Sequence, residues 1–475
     1  MRGWLAFCGV SLATLSGIGI AGGEVLELPL EAAIERALAY NMDLSQGAME
    51  VESQRLEVDR AREEVRGLEI TPAGGAEAGG ESSLWQAGMV ARATGPWGTE
   101  LSAETVASQV KVDGAEAVRR AEVGVAISQP LFRRFGTLMR NEPAVLAEES
   151  LRAVRRVWER ERSALVLEVV EAYEELICLR QQVECDEAQQ HRLERLAALA
   201  EARERRGKST QTEVLRLNLQ RGEAASRLET GRTELAIGFE RFARLLGLPL
   251  DTAFVLHPPP MLVLDETPPE EAVALALRER PDYAQALENI TTGDRQVRIA
   301  RRALLPDLAL TARQSVYGED ADWGTAGQLD DSEWRVGVEG RMNLNVREAR
   351  LAARRAQTDT EAQRLAAEIM RQRLAVEVHA AQLDYRRTRA EWMLSEQNRG
   401  LADRRSELAR ALFEAGRASA DGVSDAEADA LSAQRQEIES RRAAAVAAYR
   451  LLHVLGTLVP VPEELLMRTP ERASR

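Results

Sequence analysis

Two periodicities alternate along the chain, and the alternation occurs twice. Leu30, Ile34, Ala37 and Leu38 share one stripe of a helix that opens at Leu28-Pro29 and continues to about Arg66. Between Ile70 and Phe135 the period shortens. Val123, Val125 and Ile127 alternate with Gly124, Ala126 and Ser128 ahead of Pro130-Leu131-Phe132, which predicts a strand. Trp85 to Thr94 and Leu101 to Val110 are weaker strand candidates around the turn Gly95-Pro96-Trp97-Gly98. A long proline-free stretch follows, with apolar Leu165, Val169, Ala172, Leu176 and Leu179 at heptad-like spacing. A helix from about residue 144 to 205 would reach roughly 90 Å at the rise of an α-helix.

The second half repeats this order. A helix runs from Pro269 through Arg280-Pro281-Asp282-Tyr283 to about Ala303, strands are predicted over Leu308 to Tyr317 and Trp334 to Met342, and another proline-free stretch follows. In the last strand Trp334, Val336 and Val338 face one way and Arg335, Gly337, Glu339 and Arg341 the other, as a wall between lipid and water requires. A half-buried soluble sheet gives the same alternation. The helical hairpins turn at Gly207 and Gly416 and end at Leu246-Gly247 and Leu455-Gly456, superposing at an offset of about 209 residues. The opening helices superpose at about 239, so the halves differ by insertions, a kind of difference expected in loops. Pro258-Pro259-Pro260 through Pro268-Pro269 interrupts any helix and separates the halves.

Composition narrows the class. The net charge of -14 offers no basic surplus for nucleic acid. Arg2, the apolar run from Trp4 to Ile20 and Ala21-Gly22-Gly23 predict a cleaved export leader over residues 1–22. Later membrane crossing would then be by strands, since no other stretch is long and apolar enough for a helix. Trp85, Trp97, Trp323 and Trp334 lie in or beside the strand regions, where an interfacial girdle would place them. Cys178 and Cys185, on one helix and roughly 10 Å apart by its rise, are beyond disulfide reach and read as small core residues. The four histidines have no spaced partners, and neither a phosphate loop nor a catalytic triad can be assembled; no metal, no cofactor and no enzyme are expected.

The motifs in order resemble the TolC-like outer-membrane efflux family: the leader, Leu30-Glu31-Ala32-Ala33, Gln129-Pro130-Leu131-Phe132, the glycine turn and Leu-Gly ending of each hairpin, Arg280-Pro281-Asp282, and the duplication. The resemblance covers nearly all of the mature chain. It implies a mainly α fold with β, a duplicated strand pair plus long helical hairpins, in which three copies share a twelve-stranded outer-membrane β-barrel continued by a periplasmic α-helical tunnel. The expected layout is a first repeat over residues 23–256 with strands at about 84–132, a linker over 257–269, a second repeat over 270–459 with strands at about 306–345, and a tail over 460–475. Three strand candidates in the first repeat exceed the two that the family expects, and the Gly/Ala-rich segment Thr71 to Glu81 has no place in that plan.

The implied partners are two further copies of the chain, a periplasmic adaptor, an inner-membrane transporter and outer-membrane lipid. Gly207, Lys208, Gly416 and Arg417 fall at the turns where the adaptor docks in that family. Of the family's constricting acidic positions, Asp425 keeps the carboxylate and Gly422 does not; Asp421 stands beside it. Thr212 and Glu213 match positions that make closing contacts, with Arg417 as a cationic partner, while Phe413 stands where the family has a hydrogen-bonding tyrosine. The competing reading is a periplasmic coiled-coil scaffold or adaptor whose strands form a small soluble domain. The cargo is not legible.

Overall fold

The computed structural model describes residues 26–79, 82–95, 97–112, 114, 116–206, 210–342, 346–414, 417 and 420–466. The expected leader, the turn residues Gly207, Lys208 and Gly416, and most of the tail lie outside them.

The first half runs β1 (Leu26–Leu28), α1 (Leu30–Tyr40), α2 (Met42–Arg66), four strands β2 (Glu69–Gly79), β3 (Ser82–Thr94), β4 (Glu100–Val112) and β5 (Val118–Pro130), a turn of helix α3 (Thr137–Arg140), then α4 (Glu142–Glu204), α5 (Gln211–Leu245) and β6 (Phe254–Leu256). The second half runs α6 (Pro269–Glu279), α7 (Pro281–Arg302), β7 (Asp307–Asp320), a short helix α8 (Trp323–Ala326), β8 (Asp331–Arg341), α9 (Val346–Glu414) and α10 (Ala420–Leu455), followed by a 3-10 turn at Glu463–Leu465. Helices α4 and α9 are 63 and 69 residues long without a break. The fold is mainly helical with a sheet, as the periodicity predicts, and no described helix is apolar enough over a sufficient length to cross a membrane.

Three expectations need correction. The opening helix is two helices, because Asn41 leaves the helical region at ψ 129°. Its side-chain oxygen accepts the Leu44 N–H at 3.0 Å and its amide donates to the Leu245 carbonyl at 3.1 Å, so one residue caps α2 and ties it to α5. The second opening helix breaks likewise at Arg280, where the following Pro281 disfavours helical geometry and sets ψ at 123°. The strand region is larger than expected: the segment from Thr71, which had no place in the plan, is β2 as far as Gly79, and the first half contributes four strands to the sheet rather than two.

The chain divides into two compact units. One gathers the residues up to Leu44, Arg162–Thr267 and His379–Val459. Here β1 pairs in parallel with β6, and Tyr173 of α4 locks that pair: its hydroxyl lies 2.9 Å from the carbonyls of both Leu28 and His257. Tyr173, Phe242 and Phe254 meet edge to face at centroid distances of 6.0 and 5.7 Å. The hairpins end as expected. Gly247 and Gly456 have φ of 64° and 74°, and Leu248 and Thr457 donate back to Ala243 and Leu452 at 2.8 and 3.0 Å, which satisfies the last carbonyls of each helix. A side chain at Gly247 would collide with the Tyr40 backbone.

Ion pairs join α4 to α10: Arg442 to Glu175 at 2.8 Å, Arg450 to Glu171 at 2.6 Å, and Arg435 to Asp186. Cys178 and Cys185 are free and buried, packed with Leu431 and Ile438. Burial and the neighbouring Glu439 carboxylate push the Cys178 thiol up to about 12, as suits an unreactive core residue.

The other unit comprises Ser45–Glu161, Pro268–Val378 and the segment from Pro460. Its helices are held by arginine. Arg156, 4% exposed, reaches Gln285 at 2.7 Å, the Leu465 carbonyl at 2.8 Å and the Glu288 carboxylate. Arg295 grips Glu142 at 2.9 Å and Glu149 on its other edge. Burial raises Glu149, but hydrogen bonds from Arg295 and Thr292 outweigh it and hold the carboxyl below its ordinary range. All six longer strands form one antiparallel sheet in the order β2-β3-β4-β5-β7-β8.

Glu174 of α4 is the exception to this pattern of satisfied charge. It is 1% exposed, neither carboxylate oxygen has a hydrogen-bond partner among the described residues, and Arg441 stays 3.7 Å away. Burial therefore raises its pKa despite Arg441 and Arg442. A carboxyl raised on folding costs stability above the ordinary carboxylate range and nothing below the unfolded value. Glu174→Gln is accordingly expected to raise the denaturant midpoint at pH 7.5 and to leave it unchanged at pH 4, measured by circular dichroism on the detergent-solubilised protein.

Candidate functional site

Cross-strand partners in a pleated sheet share a face, so the register assigns every side chain to one of two surfaces. Trp334 of β8 pairs with Gln314 of β7, which pairs with Val125 of β5, then Ala103 of β4, Ala91 of β3 and Ile70 of β2. Val336, Ala312, Ile127, Leu101 and Ala93 form the adjacent row. Trp334, Val336 and Val338 are exposed, as are Val123, Val125 and Ile127. Apart from polar residues such as Gln314, Gln129 and Thr105, this surface is apolar across all six strands.

The opposite surface is charged. Arg313 of β7 donates to Glu104 of β4 and, at 3.1 Å, to Glu122 of β5; Arg120 reaches Glu122 at 3.0 Å and Glu319 at 3.7 Å. Arg335 and Glu333 pair at 2.9 Å on the same side. Arg120 also lies over the Tyr317 ring at 4.3 Å. Val90, Val106 and Val110 dilute this face without breaking the charge ladder.

Three of the four tryptophans singled out from the sequence sit toward the end of the sheet remote from the helices. Trp85 is near the start of β3, Trp334 near the start of β8, and Trp323 at the start of α8 just before it; the Trp85 and Trp323 rings approach to 5.5 Å. At the helix-proximal end Trp97, Phe132 and Phe135 are exposed around the β3–β4 turn. Arg140 ties that end together through the carbonyls of Val65, Thr94 and Gly95.

The second candidate region is the pair of hairpin turns. Thr212 and Glu213 lie in the first turn of α5; Thr212 is exposed, and the Glu213 side chain falls outside the description. Arg417 is exposed in the second turn, with its N–H donating to the Leu412 carbonyl at 2.8 Å. Asp421 opens α10, its side chain likewise outside the description, and Asp425 is exposed one turn further on. The turn residues Gly207, Lys208 and Gly416 lie outside the described residues. The juxtaposition of Glu213 with Arg417 is thus not among the described contacts.

What the description does include is an asymmetry along α10. Glu427 pairs with Arg410 at 2.8 Å and Asp429 with Arg405, both bracing α9 against α10. Val423 and Ala426 are buried in the same hairpin. Asp425 projects from the exposed side, and among the described residues it has no ion-pair partner.

Residues 272–457 match the family model described as outer membrane efflux protein. No curated protein matches the chain. Among solved structures, the outer-membrane channel OprN superposes with a TM-score of 0.69 at 17% identity, covering 90% of each chain. CusC gives a TM-score of 0.69 at 17% identity over 92% of this chain and 95% of its own, and the outer membrane protein VceC of Vibrio cholerae 0.68 at 16% over 90% and 96%. The resemblance to TolC-like channels drawn from the motifs therefore holds in fold, and residues 272–457 match the family model as well.

The missed part of the site is β2, since β3 falls on the predicted strand Trp85 to Thr94. Its signal was present as Ile70, Pro72, Gly74 and Ala76 alternating with Glu69, Thr71 and Glu77, but small residues give it little contrast. The two faces can be tested with neighbouring residues of one strand. Val336→Arg is expected to cost about 2–4 kcal/mol of membrane-inserted stability if placed at mid-bilayer depth, and less near the interface. Gly337→Arg, on the charged face, is expected to be near neutral. Recovery of each variant from outer-membrane fractions checks this, since a sheet standing in water would tolerate both.

Proposed function

We propose that three copies of this chain form a passive, gated export duct in the outer membrane. Substrate is delivered by an inner-membrane transporter through a periplasmic adaptor. The transporter spends ATP or a proton gradient; this chain conducts and gates, without catalysing a reaction. The observation that carries the reading is the sheet, apolar on one exposed face and laddered with paired charge on the other, on a chain that also builds two long helical hairpins. A soluble scaffold has no use for an exposed band of Trp334, Val336, Val338, Val125 and Ile127.

In this reading the polar face lines the duct and the hairpin turns form its periplasmic mouth. Asp425 is the constricting carboxylate, because its neighbours Glu427 and Asp429 are engaged within the hairpin and, among the described residues, it is not. Three such carboxylates around one axis attract cations and repel each other, so closure has to be held by contacts between hairpins. Glu213, Thr212, Arg417 and Asp421 supply those contacts, and Gly207, Lys208, Gly416 and Arg417 form the surface on which the adaptor docks.

Fractionation and native mass test the assembly: a heat-modifiable trimer in the outer membrane supports the duct, and a detergent-free soluble protein supports the scaffold reading. Planar-bilayer recordings test the gate. Asp425→Ala is expected to weaken block by divalent cations added on the periplasmic side at least several-fold; unaltered block would remove Asp425 from the constriction. Glu213→Gln combined with Arg417→Gln is expected to raise conductance or open probability, and unchanged single-channel traces would discard that latch.

A further inference from the structure

The family plan implies four barrel strands per copy, and among the described residues the long sheet of this chain has six. Counting from β2, the strands alternate in direction without exception, so β2 and β8, the two edges, run in opposite senses. Each inner strand is paired on both sides, β3 with β4 over thirteen residues and with β2 over eleven. Among the described residues neither edge has a second strand partner. In lipid each unmet backbone group costs several kcal/mol, so an edge must be closed by another strand.

The extra hairpin carries the same division of faces as the rest of the sheet. Ile70, Pro72, Gly74 and Ala76 of β2 and Trp85, Ala87, Met89 and Ala91 of β3 register with the apolar rows; Glu69, Thr71 and Glu77 fall on the charged side. A flap standing outside the membrane would have no reason to keep that alternation in register with β4. Pro72 has no N–H, so the ladder there is one donor short whichever neighbour it faces.

We propose that β2 of one copy pairs antiparallel with β8 of the next, so that each copy gives six strands to a shared wall and three copies close an eighteen-stranded barrel. The proposal rests on the trimeric duct above. Antiparallel pairing of these edges continues the alternation already present, and barrels of even strand number in this range are stable in outer membranes. Barrel diameter grows roughly linearly with strand number, so the wall is about 1.5 times as wide as a twelve-stranded one, in the range that leaves an open aqueous channel. The lining at that level includes Glu104, Glu122, Arg120 and Arg313. The outer mouth is therefore not the narrowest point of the duct, and selection by size falls to another level.

Disulfide trapping in outer membranes tests the pairing. In full-length protein with Cys8, Cys178 and Cys185 each replaced by Ala, Thr71→Cys or Glu77→Cys is combined in turn with Glu333→Cys, Arg335→Cys, Gly337→Cys and Glu339→Cys. Partners must come within about 7 Å between Cα atoms to bridge. The expected result is a mild-oxidant shift of the monomer band to two-chain and three-chain species and nothing larger. Trapping of Ser102→Cys or Glu104→Cys of β4 to the same β8 positions would make β4 the wall edge and overturn the proposal. An intact trimer by native mass with no β2–β8 bridge would also overturn it, leaving the duct reading in place. A ladder ending at two or four chains would refute eighteen strands, and a chain that never assembles in the outer membrane would refute the duct reading itself.

Discussion

An unpaired strand edge in hydrocarbon has no water to bond, and that constraint organises the structure. The sheet exposes an apolar face and has two open edges, so the chain is incomplete alone wherever that face meets lipid. The same constraint explains the parity of the strands. Four in the first half and two in the second are both even, so α2 and α4, and likewise α7 and α9, join the sheet at the same end. A three-strand half would have put its helices on opposite ends.

The helical parts answer a different requirement. Long helices rich in Arg and Glu add ion pairs to a core of buried apolar residues such as Val169, Tyr173, Leu176 and Leu374. Pairs such as Arg442 with Glu175 contribute little each when exposed. The buried ones, Arg156 with Glu288 and Arg295 with Glu142 and Glu149, matter because losing one partner strands the other charge away from water. Glu174 shows the reverse situation, a buried carboxyl without a hydrogen bond among the described residues and with only Arg441, 3.7 Å away, as its ion-pair partner.

Duplication is visible at this level too. Asn41 and Arg280 break the opening helix of each half after eleven residues by different chemistry, one by a side-chain cap and the other by the proline that follows. Glycines at 247 and 456 end the hairpins in the same left-handed turn. Divergence is concentrated between these conserved geometries, in the strand insertion and at the hairpin turns. In the second hairpin, Arg405 and Arg410 engage Asp429 and Glu427 and leave Asp425 outside the bracing.

Much of this was legible from residues alone. The order helix, strand, long hairpin, repeated once, follows from the shift in apolar spacing and the placement of proline and glycine, because those features act on the local backbone and need no partner. The drop in offset between the halves from about 239 to about 209 registered an insertion of about thirty residues, but not its nature. Ala, Gly and Pro in β2 carry weak strand preference, and only pairing with β3 along its full length makes that segment a strand. Asn41 reads as one more helical residue until the Leu245 carbonyl, far away in sequence, fixes its amide. The sequence by itself thus determined the local periodicities and the duplication. The tertiary structure alone decided which side chains share a face, which charges are consumed by partners, and how many strands each copy brings, because each depends on contacts between segments that local preference does not encode.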